Sequence, residues 1–220
     1  MRITLPTGTP AELISPATVD ASTRGLVVFP DIMGLRPLFD DMCTRLADEQ
    51  GWVVCAVEPF PGREHLDVTE RLDAMSGLSD DRLRADAVAA AAATGCARVG
   101  AIGFCMGGML AFKASGAGCF DRVAGFYGMI RLPDAWRGQE LADAIDTLRL
   151  PDRCPTLAIV GTADPYTPPA DVIDATDAGV EVVRYEGAEH GFVHDASRPA
   201  HRAEDAADAW ERVIAFLLGD

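Results

Sequence analysis

Short apolar runs alternate with amphipathic segments along most of the chain. Six of these runs are rich in β-branched residues and lack strict polar–apolar alternation, which is typical of strands buried on both faces of a parallel sheet. They span residues 26–29, 52–57, 99–102, 123–127, 156–160 and 180–185. The pattern therefore predicts six buried strands.

Segments with helical periodicity lie between these runs, at residues 38–50, 80–93, 106–115, 168–177 and 199–218, with a weaker one around 140–148. In the segment 80–93, the side chains on one face are Leu83, Ala87, Val88 and Ala91, and charged residues such as Asp86 fall elsewhere. Strands that alternate with helices imply βαβ crossovers, so we expect a three-layer α/β fold with a mostly parallel, doubly wound sheet. Such sheets bind ligands beyond the carboxyl ends of their strands.

Composition narrows the class of protein further. The 220 residues are 49% hydrophobic and 24% charged, which predicts a single globular domain over residues 1–220. The formal net charge of −15 argues against nucleic acid and anionic membranes as partners, because both require a basic face. The sequence shows neither a membrane-spanning apolar run nor a signal peptide, so we expect a cytoplasmic protein.

The six cysteines stand singly, without the C-x-x-C pairs of zinc sites or redox motifs. They are Cys43, Cys55, Cys96, Cys105, Cys119 and Cys154. We expect reduced thiols, five of which pack as small hydrophobic side chains, and we predict neither a metal nor a cofactor. Cys105 differs from the others because of the residues around it.

The strongest chemical signal is the segment Gly-Phe-Cys-Met-Gly centred on Cys105, which joins a predicted strand to a predicted helix. This is the spacing of a nucleophile elbow, with Cys in the position that Ser usually holds. Glycines two residues to either side leave room for a strained turn, and the helix N-terminus favours a thiolate. The alternative is a phosphate-binding turn, but the glycine spacing fits neither a G-x-G-x-x-G motif nor a P-loop.

An acid and a base follow two later strands, in the order expected after a nucleophile. Asp164 comes after the run 156–160, and His190 comes after the run 180–185. We predict that His190 takes the thiol proton and that Asp164 orients the imidazole. Asp164 could instead be a solvated turn residue. Of the other histidines, His65 and His201 are expected at the surface, whereas His194 lies too near His190 in sequence to exclude.

The loop after the first apolar run, residues 29–35, is expected to supply part of an oxyanion hole. We assign the two donors to the backbone N–H groups of Ile32 and Met106. Asp31 then stands beside the nucleophile, where a second carboxylate would be unusual for a plain esterase; the simpler interpretation is a turn or N-cap aspartate.

Together these motifs resemble the dienelactone hydrolase (carboxymethylenebutenolidase) family of α/β-hydrolases, over residues 26–217. The resemblance rests on Gly-Phe-Cys-Met-Gly-Gly around Cys105, Gly-Phe-Tyr-Gly ending at Gly128, Gly-Thr-Ala-Asp ending at Asp164, and Ala-Glu-His-Gly-Phe around His190. It implies the α/β-hydrolase fold, a triad of Cys105, His190 and Asp164, and hydrolysis of small esters or lactones without a cofactor.

Two departures from the family pattern concern charged positions. The family usually has Glu in place of Asp31, and that carboxylate is thought to partner the resting Cys. The shorter Asp would need a closer backbone or a bridging water; otherwise activation falls to His190 alone. Members that act on chlorocatechol-derived lactones hold the substrate carboxylate with arginines, one of them four residues after the catalytic His, where this chain has His194.

The expected substrate contacts are therefore Arg36, Tyr127 and His194, with Arg63, Arg71 and Arg131 as further candidates. The alternative function is a non-hydrolytic member of the fold that binds a small ligand or senses oxidants through Cys105. Ester turnover would distinguish the hydrolase from this alternative, and the oligomeric state stays open.

Overall fold

The computed structural model describes residues 1–219 and contains one eight-stranded sheet flanked by seven α-helices. The strands are β1 (Arg2–Thr4), β2 (Pro10–Ile14), β3 (Gly25–Phe29), β4 (Val53–Val57), β5 (Val99–Phe104), β6 (Arg122–Phe126), β7 (Thr156–Gly161) and β8 (Glu181–Tyr185). The helices are α1 (Pro37–Gln50), α2 (Val68–Ala74), α3 (Asp80–Ala93), α4 (Met106–Ala114), α5 (Ala144–Leu148), α6 (Pro169–Asp177) and α7 (Ala203–Leu218).

The strand order in the sheet is β1-β2-β4-β3-β5-β6-β7-β8. Strands β3 to β8 pair in parallel, whereas β1 and β2 form an antiparallel ribbon that joins the sheet through β4. The six parallel strands are those that the apolar runs predict, so the mostly parallel, doubly wound sheet is confirmed. The ribbon was not predicted, because β1 has only three residues and neither strand carries a continuous apolar run.

Helices cover both faces of the sheet, which confirms the predicted three layers. On one face, Phe39 of α1 and Val213 of α7 belong to the same buried cluster as Val28 of β3. On the other face, α3, α4, α5 and α6 pack around a second cluster that includes Met109 of α4 and Val27 of β3. Successive residues of β3 thus serve opposite cores, which explains why the strand is apolar throughout.

Local signals account for the bounds of helix α1. It begins at Pro37, whose fixed φ suits a first helical turn, and it ends at Gly51 in the left-handed conformation. Helix α7 begins at Ala203, four residues later than predicted. Helix α2 was not predicted, although Asp67 and Glu70 form a capping box at its start, for which the spacing D-x-x-E is a sequence signal.

The predicted face of α3 is wrong at two positions. Val88 is 41% exposed, whereas Asp86 is only 4% exposed. Its carboxylate accepts hydrogen bonds from Thr9 Oγ1 at 2.7 Å and from Arg82 Nε at 3.0 Å. These partners satisfy the buried carboxylate, so α3 turns Asp86 rather than Val88 towards the interior.

The cysteines differ in their degree of burial. Cys43 and Cys55 are buried, the other four are partly buried, and all six are free thiols. Within residues 1–219, no group of three His, Cys, Asp or Glu side chains is arranged to hold a metal ion. In that same range, none of the helices is both long and apolar enough to cross a membrane.

Candidate active site

Cys105 occupies a sharp turn between the central strand β5 and helix α4. Its backbone has φ 58° and ψ −121°, a strained conformation for a residue other than glycine. A Cβ on Gly103 would lie 1.9 Å from the carbonyl oxygen of Gly107, and one on Gly107 would lie 2.1 Å from that of Phe29. The two glycines therefore permit the elbow that places the thiol beyond the carboxyl end of the sheet.

Asp164 and His190 lie in the loops that follow β7 and β8. These two strands lie on the same side of β5, beyond β6. His190 Nδ1 is 2.8 Å from Asp164 Oδ2, and Asp164 Oδ1 accepts from the amide of Tyr166 at 2.8 Å. The other imidazole nitrogen, Nε2, is buried and has no regular hydrogen-bond partner within residues 1–219. One side of the ring is thus held by a carboxylate, and the other side is free for chemistry.

The surroundings of His190 change its pKa in opposite directions. Burial lowers the pKa, but the hydrogen bond to Asp164 and the proximity of the Cys105 thiol outweigh burial and raise it to about 9. Cys105 and His190 also line the same cavity, so the sequence-predicted nucleophile and base lie together. An imidazole with this pKa is well suited to stabilise a neighbouring thiolate as an ion pair.

Ile32 and Met106 carry the two backbone amides that the sequence assigns to an oxyanion hole. Ile32 and Cys105 line the same cavity, and Met106 is the first residue of α4. Within residues 1–219, neither the Ile32 nor the Met106 amide donates to a protein acceptor. Both donors that the sequence suggests for an oxyanion hole are therefore unengaged.

The carboxylate of Asp31 is fully engaged by neighbours other than the thiol. Arg36 forms a two-pronged ion pair with it, at 2.6 Å to Oδ1 and 2.8 Å to Oδ2. His194 Nε2 lies 2.9 Å from Oδ2, and the Met33 amide donates to Oδ1 at 3.0 Å. Burial raises the pKa of Asp31, but the hydrogen bonds from His194 and Arg36 bring it well below its ordinary value.

His194 and Tyr127 lie behind Asp31 in a continuous hydrogen-bonded row. Burial lowers the pKa of His194, so the ring is neutral; its Nε2–H donates to Asp31, and its Nδ1 accepts from the Tyr127 hydroxyl. Both side chains are buried, and neither lines the cavity. The expectation that they contact substrate is corrected by this placement: they support Asp31 from behind.

The cavity in front of Cys105 has a volume of about 400 Å³. Met129 and Trp136 are buried in its wall. Four exposed apolar side chains surround its mouth, namely Met33, Val68, Leu72 and Tyr166. Val68 and Leu72 come from helix α2, so they escaped prediction together with that helix.

Four charged residues line the cavity, namely Asp31, Arg36, Asp195 and Arg198, and of these Asp31 and Arg36 form an ion pair. Arg36 thus reaches the cavity, as expected, although its guanidinium is already paired. The remaining candidate arginines do not line the cavity: Arg63 is exposed, Arg71 is buried against Glu58, and Arg131 pairs with aspartates of α6.

The chain was compared with protein-family models and with curated sequences. A model of the dienelactone hydrolase family matches residues 10–219. A protein from Synechocystis sp., provisionally named carboxymethylenebutenolidase, is 28% identical over 208 residues, which cover 86% of this chain and 82% of that protein. A protein from Bradyrhizobium sp., named a probable 2-oxo-3-(5-oxofuran-2-ylidene)propanoate lactonase, is 26% identical over 207 residues, covering 87% of this chain and 82% of that protein.

Solved structures show the same fold. The crystal structure of a protein from Klebsiella pneumoniae, provisionally named dienelactone hydrolase, superposes with a TM-score of 0.87 at 22% identity, covering 99% of this chain and 97% of that one. A dienelactone hydrolase-like promiscuous phosphotriesterase from metagenomic libraries gives a TM-score of 0.78 at 19% identity, covering 100% and 97%. The fold is that of the α/β-hydrolases, as the motifs imply.

Proposed function

The chain belongs to the dienelactone hydrolase family, and from this premise we propose that it hydrolyses small esters or lactones, with Cys105 as the nucleophile. His190 is the base, Asp164 orients it, and the amides of Ile32 and Met106 form the oxyanion hole. The observation that carries the proposal is the state of His190: Nδ1 is held by Asp164 at 2.8 Å, while Nε2 is free beside the thiol.

In the first half of the reaction, His190 takes the thiol proton, and Cys105 Sγ attacks the carbonyl carbon of the ester. The carbonyl oxygen becomes an oxyanion, which the two free amides stabilise by hydrogen bonds. When the tetrahedral intermediate collapses, the bond to the alkoxide oxygen breaks and His190 protonates that oxygen. A thioester on Cys105 remains; with a lactone substrate, the released hydroxyl stays attached to the acyl group.

In the second half, His190 removes a proton from a water molecule that attacks the thioester carbonyl. A second oxyanion forms at the same amides, and its collapse expels the Cys105 thiolate. The product is a carboxylic acid, which ionises at neutral pH. The helix α4 begins directly after the nucleophile, and its partial positive charge supports the thiolate in both halves.

Asp31 has a positioning role in this scheme. Its oxygens accept from Arg36, His194 and the Met33 amide, so activation of the thiol falls to His190 alone. The ionised carboxylate holds Arg36 at the cavity wall and fixes the loop that carries the Ile32 amide.

The cavity favours substrates with an apolar body, because Met33, Val68, Leu72 and Tyr166 surround its mouth and Trp136 lies inside it. A lactone or an aryl ester of modest size fits a volume of about 400 Å³. The six free thiols suit a reducing compartment, so we propose that the reaction takes place in the cytoplasm.

The test measures turnover of nitrophenyl acetate and of simple enol-lactones by the purified protein. We expect turnover, and we expect one equivalent of iodoacetamide to abolish it while mass spectrometry finds the label on Cys105. Cys105→Ala should remove activity, and Cys105→Ser should reduce it strongly because an alcohol ionises far less readily than a thiol.

The matched control is Cys96→Ser, which alters a thiol that is also partly buried but lies outside the cavity. It should retain full turnover. Labelling at another cysteine with activity retained would overturn the assignment of Cys105. Absence of any turnover, together with a stable sulfenic acid on Cys105 after peroxide, would favour the oxidant-sensing alternative.

A further inference from the structure

Glu58 and Arg71 form a buried ion pair near the proposed active site that the reaction scheme leaves unused. Glu58 directly follows strand β4, and Arg71 lies on helix α2. Arg71 Nη1 is 3.1 Å from Glu58 Oε1, and both side chains are almost fully buried. Neither lines the cavity, so neither touches a substrate there.

The carboxylate of Glu58 is occupied by backbone amides as well as by the arginine. Its Oε1 also accepts from the Phe60 amide, and its Oε2 accepts from the Leu35 amide, both at 3.0 Å. Leu35 belongs to the loop that carries Ile32. The acid therefore ties the end of β4 to the end of the proposed oxyanion loop.

Arg71 connects the same loop to helix α2. Its Nη1 donates to the carbonyl oxygen of Ile32 at 3.4 Å, so the arginine contacts the residue that supplies the proposed oxyanion donor. Its Nε donates to the Leu66 carbonyl at 3.0 Å, and its Nη2 donates to the Glu64 carbonyl at 2.7 Å. One guanidinium thus joins the oxyanion loop to the segment that leads into α2.

Gly34 shows how closely the loop lies against this pair. Its φ is 67°, and a Cβ built on it would lie 2.6 Å from both Glu58 carboxylate oxygens and 2.8 Å from Arg71 Nη1. Any side chain at this position would push the loop away from the pair. The loop is therefore anchored at Asp31 on one side and against the ion pair on the other.

Burial of an ion pair is a poor source of stability, because loss of hydration offsets most of the attraction between the charges. Accurate placement of an oxyanion donor, by contrast, has a large effect on rate, since a donor stabilises charge only at the correct distance. From these observations we propose that Glu58 and Arg71 are positioning residues, which aim the Ile32 amide at the oxyanion and fasten α2 to the same loop.

The proposal rests on the proposed ester hydrolysis, and it predicts that two reactions of the same thiol respond differently. Acylation of Cys105 by nitrophenyl acetate forms an oxyanion and needs the Ile32 amide. Alkylation of Cys105 by iodoacetamide is a displacement at a saturated carbon and forms no oxyanion. In Glu58→Gln, an NH₂ group replaces one carboxylate oxygen. It then faces N–H donors of Leu35, Phe60 or Arg71 and cannot accept from them.

We expect the acylation rate of Glu58→Gln to fall about 10- to 100-fold, the size of effect that a misplaced donor has. The alkylation rate should stay within about twofold of wild type, because His190 and Asp164 are untouched. Arg71→Lys should show the same split, since lysine retains the charge but loses the fork that reaches the Ile32 and Glu64 carbonyls. Rates are expressed per folded molecule, with the folded fraction of each variant measured by circular dichroism.

Asp86→Asn is the matched control. Asp86 is also a buried carboxylate that accepts from an arginine and from a second donor, but it lies on α3, outside the cavity. It should lower stability and leave both rates unchanged. If Asp86→Asn lowers the acylation rate as much as Glu58→Gln does, the effect is general destabilisation, and the positioning role is refuted.

The remaining outcomes separate the two proposals. If wild-type protein acylates Cys105 and both variants acylate at the wild-type rate, the inference fails and the proposed function stands. Equal losses of acylation and alkylation would also overturn the inference, because the thiol itself would then be impaired. If wild-type protein shows no acylation, the proposed function fails, and the positioning role fails with it.

Discussion

The buried row behind Asp31 predicts that loss of one hydroxyl group will destabilise the fold far more than the same loss elsewhere. Tyr127→Phe removes the hydroxyl that donates to His194 Nδ1 and accepts from the His194 amide. The ring is retained, so its edge contact with His190 and its packing against Phe192 are unchanged. Burial raises the pKa of Tyr127 well above its ordinary value, so the native hydroxyl is a neutral donor.

The magnitude follows from what the substitution leaves behind. Two buried groups of His194, the ring nitrogen and the backbone N–H, lose their partner and cannot be reached by water. An unsatisfied buried polar group costs about 1–3 kcal/mol, so we expect a loss of about 2–6 kcal/mol in the free energy of unfolding. For a chain of this size, that corresponds to a fall in Tm of at least about 4 °C.

Tyr185→Phe is the matched control, because Tyr185 is also a buried tyrosine with a hydrogen-bonded hydroxyl. Its partner, Asp208, is 45% exposed and retains the ion pair with Arg212. Water replaces the lost hydrogen bond, so the expected cost is about 1 kcal/mol or less. Urea unfolding, monitored by circular dichroism, measures the free energy of unfolding of both variants, which are compared at equal slope m. Equal losses of stability in the two variants would refute the reasoning.

Two further predictions concern the reaction. Because the hydrogen bond to Asp164 and the Cys105 thiol outweigh burial and raise the pKa of His190 to about 9, acylation by alkyl esters, whose leaving oxygen His190 must protonate, should fall as the pH rises through about 9, and in Asp164→Asn this fall should move to lower pH; a wild-type fall near the ordinary histidine value of 6.5 would contradict this. Leu72→Ala should raise KM for nitrophenyl esters with apolar acyl chains about 3- to 10-fold. It should leave stability nearly unchanged, because the side chain is already 38% exposed. Val88→Ala, at an exposed helical position outside the cavity, should change neither KM nor stability.

Much of the fold could be predicted because five of the six parallel strands, β3 to β7, are largely buried and apolar on both faces. They carry this signal within five or six residues, whereas the edge strand β8 also carries the exposed Glu181 and Arg184. The ribbon of β1 and β2 lacks it, since Pro6 and Gly8 interrupt the segment and β2 is only partly buried. Asp86 was assigned to the wrong face of α3 because its partner Thr9 is 77 residues away, and no local pattern reports such a contact.

The candidate site was predictable where it depends on topology. Cys105, Asp164 and His190 each follow a parallel strand, so their approach at one edge of the sheet follows from strand order alone. The partners of Asp31 were not predictable in the same way. Whether its carboxylate faces a thiol or an arginine depends on side-chain directions within a tight loop. The pair of Glu58 and Arg71 likewise appears only when α2 has folded against that loop.

The mouth of the cavity also bears on how the preferences of this protein can change during evolution. Val68 and Leu72 are already exposed on a two-turn helix, so substitutions there remove little packing and cost little stability. Asp31, His194 and Tyr127, by contrast, form a row in which each side chain is the hydrogen-bond partner of the next, so a change at one leaves another buried group without a partner. Selection for new substrates therefore has far more accessible mutations on α2, and adaptive changes should accumulate there while the buried row is retained.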